Sequence, residues 1–230
     1  NRSWTSPLSR DTNLVGHWRF DEASGNALDY SGNGYHATLN GPERVITSGT
    51  NKAMYYDANG ADYIQTPSFA IPDTGILTIE AWVKNIDYSN YQFVLGDANQ
   101  SASIGFIQLY RIPNSSNIGY MYANTISAVA INFNNFFLNL NNQWMHIVTI
   151  CDYTNKTINI YRNGSQFGST ANLSSAPLFP SINRTKFIGS YNTASYKLID
   201  GYLDEVRIYN RGLNASEIAS IYNQTKSKYQ

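Results

Sequence analysis

Paired carboxylates are the residues that would give this chain a hydrolytic chemistry. Hydrolysis of a glycosidic bond needs two carboxyl groups that face the cleaved bond, and alternating positions of a strand can supply them because they share one face. The sequence has no Glu-x-Asp-x-Glu segment. Asp204 and Glu205 are adjacent, so we expect them to face opposite sides of a strand. A divergent glycan hydrolase or lyase is therefore an alternative that no motif supports.

The histidines and the single cysteine give little support to other chemistries. His17, His36 and His146 show no metal-ligand spacing, and the sequence has neither a nucleophile elbow nor a phosphate-binding glycine loop. Cys151 follows an apolar, strand-like run and is interpreted as a buried core residue. A single cysteine also excludes an intrachain disulfide. These observations favour a protein that is not an enzyme.

The charge balance narrows the classes of partner. The 230 residues include 16 basic and 16 acidic side chains, so the net charge is near zero. Such a chain has no electrostatic footprint for nucleic acid and no polybasic segment for anionic lipid. No apolar stretch approaches the roughly 20 residues of a membrane span. The expected partner is a glycan or a surface protein, without nucleic acid and without direct membrane insertion of this segment.

The elements that would position a binding site are short strands. Clusters of Gly, Asn, Asp and Pro separate runs that are rich in Val, Ile, Tyr, Phe and Thr. In Leu77–Lys84 apolar residues occupy every second position, as in a strand, and Asn163-Gly164 is a hairpin signal. The predicted strands are Leu14–Phe20, Met54–Asp57, Tyr63–Thr66, Leu77–Lys84, Gln92–Gly96, Gly105–Arg111, Ile118–Ala123, Ala128–Phe133, Trp144–Cys151, Thr157–Arg162, Lys186–Gly189 and Tyr202–Tyr209.

A single helix is predicted near the end of the chain. Asn214 and Glu217 have the spacing of a capping box, and Ile218, Ile221 and Tyr222 give the following turns one apolar face. Many strands with one short C-terminal helix predict an all-β, antiparallel, two-sheet jelly-roll sandwich. We expect residues 1–13 to be a lead-in or linker and residues 14–230 to form one domain.

Six segments, taken in order, resemble the laminin-G-like, concanavalin-A-like jelly-roll family. The most specific is the closing segment Gly201–Ile218, with the letters GYLDEVRIYNRGLNASEI. The resemblance implies the same sandwich fold, but its members bind different ligands, so it says little about the ligand. The other five segments are Leu14–Glu22, Leu28–Leu39, Met54–Ile64, Leu77–Lys84, and the pair Trp144–Ile150 with Ile160–Gly164.

The resemblance also implies a structural Ca²⁺ site where the first and last strands meet. Asp204 shares a strand face with Val206 and Ile208 by period 2, so it is predicted to point inward, where a carboxylate needs a partner. Asp29 precedes a glycine-rich turn, and Ca²⁺ prefers oxygen ligands. The implied ligands are Asp29, Asn33 and Asp204, and Asp21 or Glu22 could join them. The alternative is a hydrogen-bonded carboxylate that closes the turn without a metal.

Tyrosines and amides in segments outside the family motifs are the expected ligand contacts. A tyrosine offers a flat apolar face and a hydroxyl group, which suits a sugar or a protein surface, and loops on a rigid scaffold commonly carry binding. The tryptophans Trp18, Trp82 and Trp144 lie in framework strands and are interpreted as core residues, with Trp82 and Trp144 inside the sandwich. The predicted ligand-binding residues are Tyr88, Tyr91, Tyr110, Asn134 and Tyr196.

The sequence therefore predicts a non-catalytic binding module, for carbohydrate or for cell-surface adhesion. A structural decoration of a pilus, a virion or a surface layer is a further alternative, in which the sandwich is a spacer. The chain begins without Met and shows no signal-peptide pattern at Asn1. We therefore expect it to be a piece of a longer protein that lies outside the cell or on a cell or virion surface.

Overall fold

The described part of the chain forms two antiparallel sheets and one C-terminal helix. The computed structural model describes residues 11–57, 62–71, 75–87, 89–96, 106–123, 128–173, 183–191 and 200–229. The strands are β1 (Leu14–Trp18), β2 (Thr38–Asn40), β3 (Glu43–Ser48), β4 (Asn51–Tyr56), β5 (Tyr63–Ala70), β6 (Ile76–Asp87), β7 (Gln92–Gly96), β8 (Phe106–Arg111), β9 (Ile118–Ala123), β10 (Ala128–Phe133), β11 (Met145–Asp152), β12 (Thr157–Arg162), β13 (Ser165–Gln166), β14 (Ala171–Asn172), β15 (Asn183–Ile188) and β16 (Asp200–Tyr209). The helix α1 spans Ala215–Thr225, and a 3-10 turn follows at Lys226–Lys228.

The strand order is that of a sandwich with long-range pairing. The nine-stranded sheet has the order β13-β12-β11-β6-β16-β4-β3, with β1 paired to β16 and β14 paired to β12. The seven-stranded sheet has the order β10-β9-β8-β7-β15-β5-β2. Strand β16, near the end of the chain, lies between β4 and β6. The prediction of an all-β, two-sheet antiparallel sandwich with one short C-terminal helix is confirmed.

A hydrophobic core lies between the sheets, and the alternation of side chains along each strand determines which residues belong to it. Leu77, Ile79, Ala81 and Val83 of β6 belong to this core, whereas the residues between them face the other side of the sheet. Trp18 is fully buried in the same core, as predicted. Burial also raises the pKa of the Cys151 thiol to about 12, so it is a protonated core side chain at neutral pH.

A second, smaller apolar cluster lies between the nine-stranded sheet and α1. It contains Val148, Ile150, Tyr161, Tyr209, Leu213 and Ile218. The helix begins at the predicted capping box: the Asn214 side chain accepts a hydrogen bond from the Glu217 amide, and the Glu217 carboxylate accepts one from the Asn214 amide. The helix therefore covers part of the outer face of this sheet, where it buries residues that strand alternation turns away from the main core.

Two tryptophans lie on this outer face and not between the sheets. Trp82 is 3% exposed, but it stacks on Tyr229 with ring centroids 4.1 Å apart, and its indole N–H donates to the Thr225 hydroxyl at 3.0 Å. Trp144 is half-buried. The prediction that both tryptophans lie inside the sandwich is wrong, because residues 82 and 144 alternate with the core residues Val83 and Met145.

A bulge in β16 changes the direction of its acidic residues. Asp204 pairs with Trp82 and Arg207 pairs with Glu80, so one extra residue is inserted in β16. Glu205 lies in this bulge and has a left-handed φ of 51°. Asp204 therefore lies on the outer face, bonded to the Tyr229 hydroxyl at 2.5 Å. The predictions that Asp204 points inward beside Val206, and that it faces the side opposite Glu205, are both wrong.

Candidate functional site

A row of side chains crosses four strands on the part of the outer face that α1 leaves open. Glu43 of β3 pairs with Tyr55 of β4, Tyr55 pairs with Tyr202 of β16, and Tyr202 pairs with Lys84 of β6. Residues that pair directly in an antiparallel sheet share one face. The Tyr55 and Tyr202 rings lie 5.1 Å apart at 42°. The register therefore assembles an aromatic and cationic surface from segments far apart in the sequence.

Two members of this row, Lys84 and Tyr202, help to line a small groove, which we call the outer groove. Its lining consists of Val45, Ile46, Thr47, Lys84, Trp144 and Tyr202, and its volume is about 190 Å³. Strand β3 supplies one wall and Trp144, just before β11, supplies the other. The Trp144 and Tyr202 rings are 5.8 Å apart at 49°. The volume is below the roughly 300 Å³ of a typical small-molecule pocket, so the groove suits one unit of a longer ligand.

The polar groups of the outer groove are mainly donors. Lys84 Nζ lies 5.4 Å from the centre of the Tyr202 ring, and no carboxylate in the described residues forms an ion pair with it. The Trp144 indole N–H likewise donates to no acceptor within the described ranges. An ammonium group and an indole N–H can donate hydrogen bonds but cannot accept them. The outer groove is thus suited to a ligand with a flat apolar face and acceptor oxygens.

The C-terminal segment holds Trp144 in place. After α1 and the 3-10 turn, the Tyr229 ring packs between Trp82, at 4.1 Å, and Trp144, at 4.7 Å. The Tyr229 hydroxyl donates to Asp204. Burial raises the pKa of Asp204 well above its usual value, and the charge of Glu205 raises it further. Tyr229 therefore links the open part of the outer face to the part that α1 covers.

Beneath that segment lies a group of buried ionisable residues, which we call the covered cluster. It consists of Glu80, His146, Arg207, Glu205 and His17. Arg207 bridges Glu80 and Glu205, with both N–O distances at 2.5 Å, and His146 and His17 bond to Glu80 and Glu205 at 3.0 and 2.7 Å. Lys228 also pairs with Glu205.

The covered cluster is buried and its charged groups pair with one another, although Glu80 Oε2 and His146 Nδ1 have no hydrogen-bond partner among the described residues. Burial acts to raise the pKa of Glu80, but the charge of Arg207 and the His146 hydrogen bond outweigh it and lower the pKa. For Glu205, burial is likewise outweighed by His17 and Arg207, so its pKa is lowered. Glu80 and Asp204 are fully buried and Glu205 is 2% exposed. These carboxylates share one face, yet they do not line a cleft as a glycosidase pair would.

A second aromatic group lies on the seven-stranded sheet, and we call it the Tyr91 group. It consists of Tyr91, Phe93, Tyr110 and Tyr191, whose adjacent ring centroids are 5.5 to 6.1 Å apart. Tyr91 is 45% exposed, whereas Phe93 and Tyr110 are 5% and 4% exposed. Most of this aromatic surface is therefore used in packing, and Tyr91 presents the largest open ring.

The structure brings two of the five predicted ligand-binding residues together. Tyr91 and Tyr110 are neighbours, with ring centroids 5.6 Å apart, although Tyr110 is buried. Asn134 is exposed and follows the end of β10. Tyr88 and Tyr196 lie outside the described residues. The role of these residues in binding stays a prediction.

The three predicted metal ligands make hydrogen bonds of their own. Asp29 accepts from the His17 and Ser31 amides through Oδ1 and from the Ser31 hydroxyl and the Tyr35 amide through Oδ2, at 2.8 to 3.0 Å. The Asn33 side-chain amide donates to the carbonyls of residues 14 and 15. Asp204 accepts instead from Glu205 and Tyr229.

This arrangement fits a turn closed by a hydrogen-bonded carboxylate better than it fits an oxygen cage. Both Asp29 oxygens already accept two protein donors, and Asp204 uses a different set of donors. Within the described ranges, no three or more His, Cys, Asp or Glu side chains come together as a metal site. The calcium site stays a prediction.

Sequence reasoning missed the outer groove. Trp144 was assigned to the core, and Tyr55 and Tyr202 lie in segments interpreted as framework. One signal was present: Lys84 alternates with the apolar residues of β6, so it had to lie on the outer face. The pairing of Tyr202 with both Tyr55 and Lys84 depends on long-range register, which no local pattern contains.

The sequence matches a family model described as the concanavalin A-like lectin/glucanase superfamily, over residues 57–219. A comparison with curated protein sequences finds no significant match. None of the helices in the described part of the chain is long and apolar enough to cross a membrane.

Two groups of solved structures share the fold. The receptor binding domain of a botulinum neurotoxin C/D mosaic superposes with a TM-score of 0.70 at 14% identity, over 92% of this chain and 51% of that one. The serotype D ligand binding domain, solved with N-acetylneuraminic acid, gives 0.70 at 13% identity, over 92% and 51%. Domain 4 of AbnA, a GH43 extracellular arabinanase from Geobacillus stearothermophilus solved with arabinotriose, gives 0.70 at 18%, over 91% and 98%. The chain thus spans about half the length of the toxin domains and nearly all of the arabinanase domain.

Proposed function

The chain belongs to the concanavalin A-like lectin/glucanase superfamily, and we propose that it works as a non-catalytic carbohydrate-binding module of an extracellular or surface protein. The observation that carries this proposal is the outer groove. In it, the half-buried rings of Trp144 and Tyr202 flank a cavity whose polar groups, Lys84 Nζ and the Trp144 indole N–H, are directed at no protein acceptor among the described residues. Aromatic rings and hydrogen-bond donors together suit a sugar ring and its oxygens.

Two structural neighbours support a glycan as the ligand class. The serotype D toxin domain was solved with N-acetylneuraminic acid and the arabinanase domain with arabinotriose. The arabinanase is extracellular, which agrees with a protein that meets glycans outside the cell. The sequence identities to these two domains, 13% and 18%, support a shared fold only. The ligand must therefore be inferred from this chain's own residues.

The burial of the carboxylates supports a non-catalytic role. Glu80, Asp204 and Glu205 are between 0% and 2% exposed, and each accepts a hydrogen bond or ion pair from a neighbouring side chain through at least one oxygen. A hydrolase needs a carboxylic acid and a second carboxylate on either side of the cleaved bond. Release of reducing ends from any polysaccharide by the isolated protein would contradict this part of the proposal.

Glycan-array screening followed by isothermal titration calorimetry tests the proposal. Trp144→Ala should weaken binding of the best array ligand by about 30-fold, because a central tryptophan in an interface commonly contributes about 2 kcal/mol or more. Tyr30→Ala is the matched control, since Tyr30 is an exposed aromatic residue outside the groove. A protein that binds no glycan, or whose binding survives Trp144→Ala unchanged, would place its function elsewhere and favour a spacer role.

Tyr91 is a second candidate contact for the same function. Its ring is 45% exposed and is backed by Phe93 and Tyr110, so it could be presented to a ligand without a change in the fold. We propose the Tyr91 group as an auxiliary contact for a long or branched glycan. Asn134, which is exposed after β10, stays a separate predicted contact.

A further inference from the structure

We propose that the outer groove selects a sugar that carries an anionic substituent, a carboxylate or a sulfate, and binds that group at the end formed by Lys84 and Trp144. This inference rests on the proposed carbohydrate binding at the same groove. It adds the charge class of the ligand and the direction in which the ligand lies.

The first support is the donor character of that end. Lys84 is half-buried and carries a full positive charge beside the Tyr202 ring, without a carboxylate partner in the described part of the chain. The Trp144 indole N–H adds a second donor nearby. Hydrogen bonds between an ammonium group and a carboxylate or sulfate oxygen are shorter and stronger than those to a neutral hydroxyl. A neutral sugar would offer no negative charge to the Lys84 ammonium group, which would then be stabilised by water alone.

The second support is the opposite character of the row beyond the groove. Tyr55, which lies beyond Tyr202 in the row, has a raised pKa because of partial burial and then because of the nearby carboxylates of Asp200 and Asp57. An anionic group placed beside Tyr55 would lie in the same negative potential that contributes to this raised pKa, which disfavours it. The charge gradient along the row therefore directs an anionic substituent towards Lys84 and neutral hydroxyls towards Tyr55.

The expected preference for an anionic sugar is modest because it depends on one partly solvated charge, that of Lys84. Solvent and salt screen an exposed ion pair, so its contribution is modest, whereas a charge-assisted bond in a half-buried groove contributes more. We expect a preference of roughly tenfold for the anionic sugar over its neutral counterpart at low salt. The preference should decrease as the salt concentration rises.

The experiment compares sugars that differ only in charge. Calorimetry at low and high salt is run with oligogalacturonide against its methyl ester, with sialyllactose against lactose, and with a sulfated against an unsulfated galactose oligomer. The ester pair tests the carboxylate, and the sulfated pair separates sulfate from carboxylate recognition. We expect at least one anionic sugar to bind about tenfold more tightly than its neutral partner. Lys84→Met should abolish that ratio, and Lys84→Arg should retain most of it.

Lys226→Met is the matched control. Lys226 Nζ also lies 5.4 Å from a tyrosine ring, that of Tyr222, but Lys226 is in the 3-10 turn after α1 and outside the groove. Its replacement should leave the ratio unchanged. An equal loss in Lys226→Met would show that the effect is one of overall charge and would overturn the proposal.

Two further outcomes separate this inference from the proposed function. If neutral and anionic sugars bind equally and Trp144→Ala weakens both, carbohydrate binding stands and charge selection is wrong. If no sugar depends on Trp144, both are wrong. A shift of the Trp144 indole resonance in a ¹⁵N–¹H spectrum, seen with the anionic sugar and absent in Lys84→Met at the same ligand concentration, would place the anionic group at this end.

Discussion

The outer face of the nine-stranded sheet has two halves that the same strands build in different ways. Under the C-terminal segment it carries the covered cluster, where each charged group bonds to another and Glu80 and His146 are fully buried. Beyond the helix it carries the outer groove, where Lys84 and Trp144 remain half-exposed. Glu80 and Lys84 lie on the same face of β6 but in different halves. Glu80 stabilises the fold through buried ion pairs, whereas Lys84 is available to bind a ligand. The difference between the two residues is that the C-terminal segment covers Glu80 and leaves Lys84 accessible.

The largest expected effect is in the covered half. Glu80→Gln removes a buried carboxylate from Arg207 and His146, and breaking a buried ion pair typically costs about 3 to 5 kcal/mol. Because Arg207 keeps Glu205 as a partner, we expect about 3 kcal/mol, measured by urea unfolding at pH 7. Glu43→Gln, at an exposed position of the same face, should be close to neutral. Equal effects of the two substitutions would contradict the distinction between the halves.

The same substitution has a defined pH dependence. The folded-state pKa of Glu80 is lowered, so its contribution is present above the unfolded pKa and is lost as the pH falls through the folded value. The difference in unfolding free energy between wild type and Glu80→Gln should therefore be largest near neutral pH and should decrease below about pH 4.5. If the difference in unfolding free energy between the two proteins instead increased at acid pH, the pKa of Glu80 would have to be raised in the folded state, which would contradict this prediction.

The sequence predicted the core between the sheets and the position of the helix better than it predicted either half of the outer face. Alternation in Leu77–Lys84 placed the apolar residues of β6 in the core, and the capping box at Asn214 located the helix. Each of these depends on residues that are close together in the chain. The short edge strands β2, β3, β13 and β14 were missed because they are brief and polar or exposed.

Two other failures had non-local causes. The bulge at Glu205 moved Asp204 to the outer face, and nothing in the letters Leu-Asp-Glu-Val marks an inserted residue. The groove depends on the pairing of Tyr202 with Lys84, which are far apart in the sequence. Period-2 patterns predict which face a residue takes within an unbroken strand, but they do not predict its cross-strand neighbours.

Tyr229 is the residue that joins the two halves. Tyr229→Ala removes the ring between Trp82 and Trp144 and the hydrogen bond to Asp204, and truncation of a partly buried aromatic should cost about 2 kcal/mol. It should also weaken glycan binding, because Trp144 loses its support. Tyr229→Phe retains the ring and should keep glycan affinity near wild type while losing about 1 kcal/mol of stability. Unchanged binding in Tyr229→Ala would separate the halves completely.

The calcium prediction concerns the junction of the first and last strands. A cation that binds only the folded state adds RT ln(1 + [L]/Kd), about 1.4 kcal/mol at ten times Kd. If Asp29 and Asp204 bind Ca²⁺, the melting temperature should rise with calcium, fall with chelator, and lose this dependence in Asp204→Ala. If elemental analysis finds no metal and chelation leaves the melting curve unchanged, the hydrogen bonds to Asp29 alone close the turn, and the bond from Tyr229 to Asp204 belongs to the covered half.

The smallest expected effect is on the opposite sheet, at the Tyr91 group, and it tests whether binding is confined to the open half. Since the Tyr91 ring is 45% exposed, Tyr91→Ala should leave the melting temperature nearly unchanged. It should weaken binding of a long glycan by about fivefold, the factor for roughly 1 kcal/mol of aromatic contact. The measurement is most sensitive in a Trp144→Ala background, where the groove no longer dominates affinity. Tyr30→Ala is the control, because Tyr30 is also 45% exposed and lies in neither surface. If Tyr91→Ala and Tyr30→Ala reduce the residual binding equally, or not at all, the Tyr91 group serves packing, and ring exposure without a donor-lined groove does not make a site in this protein.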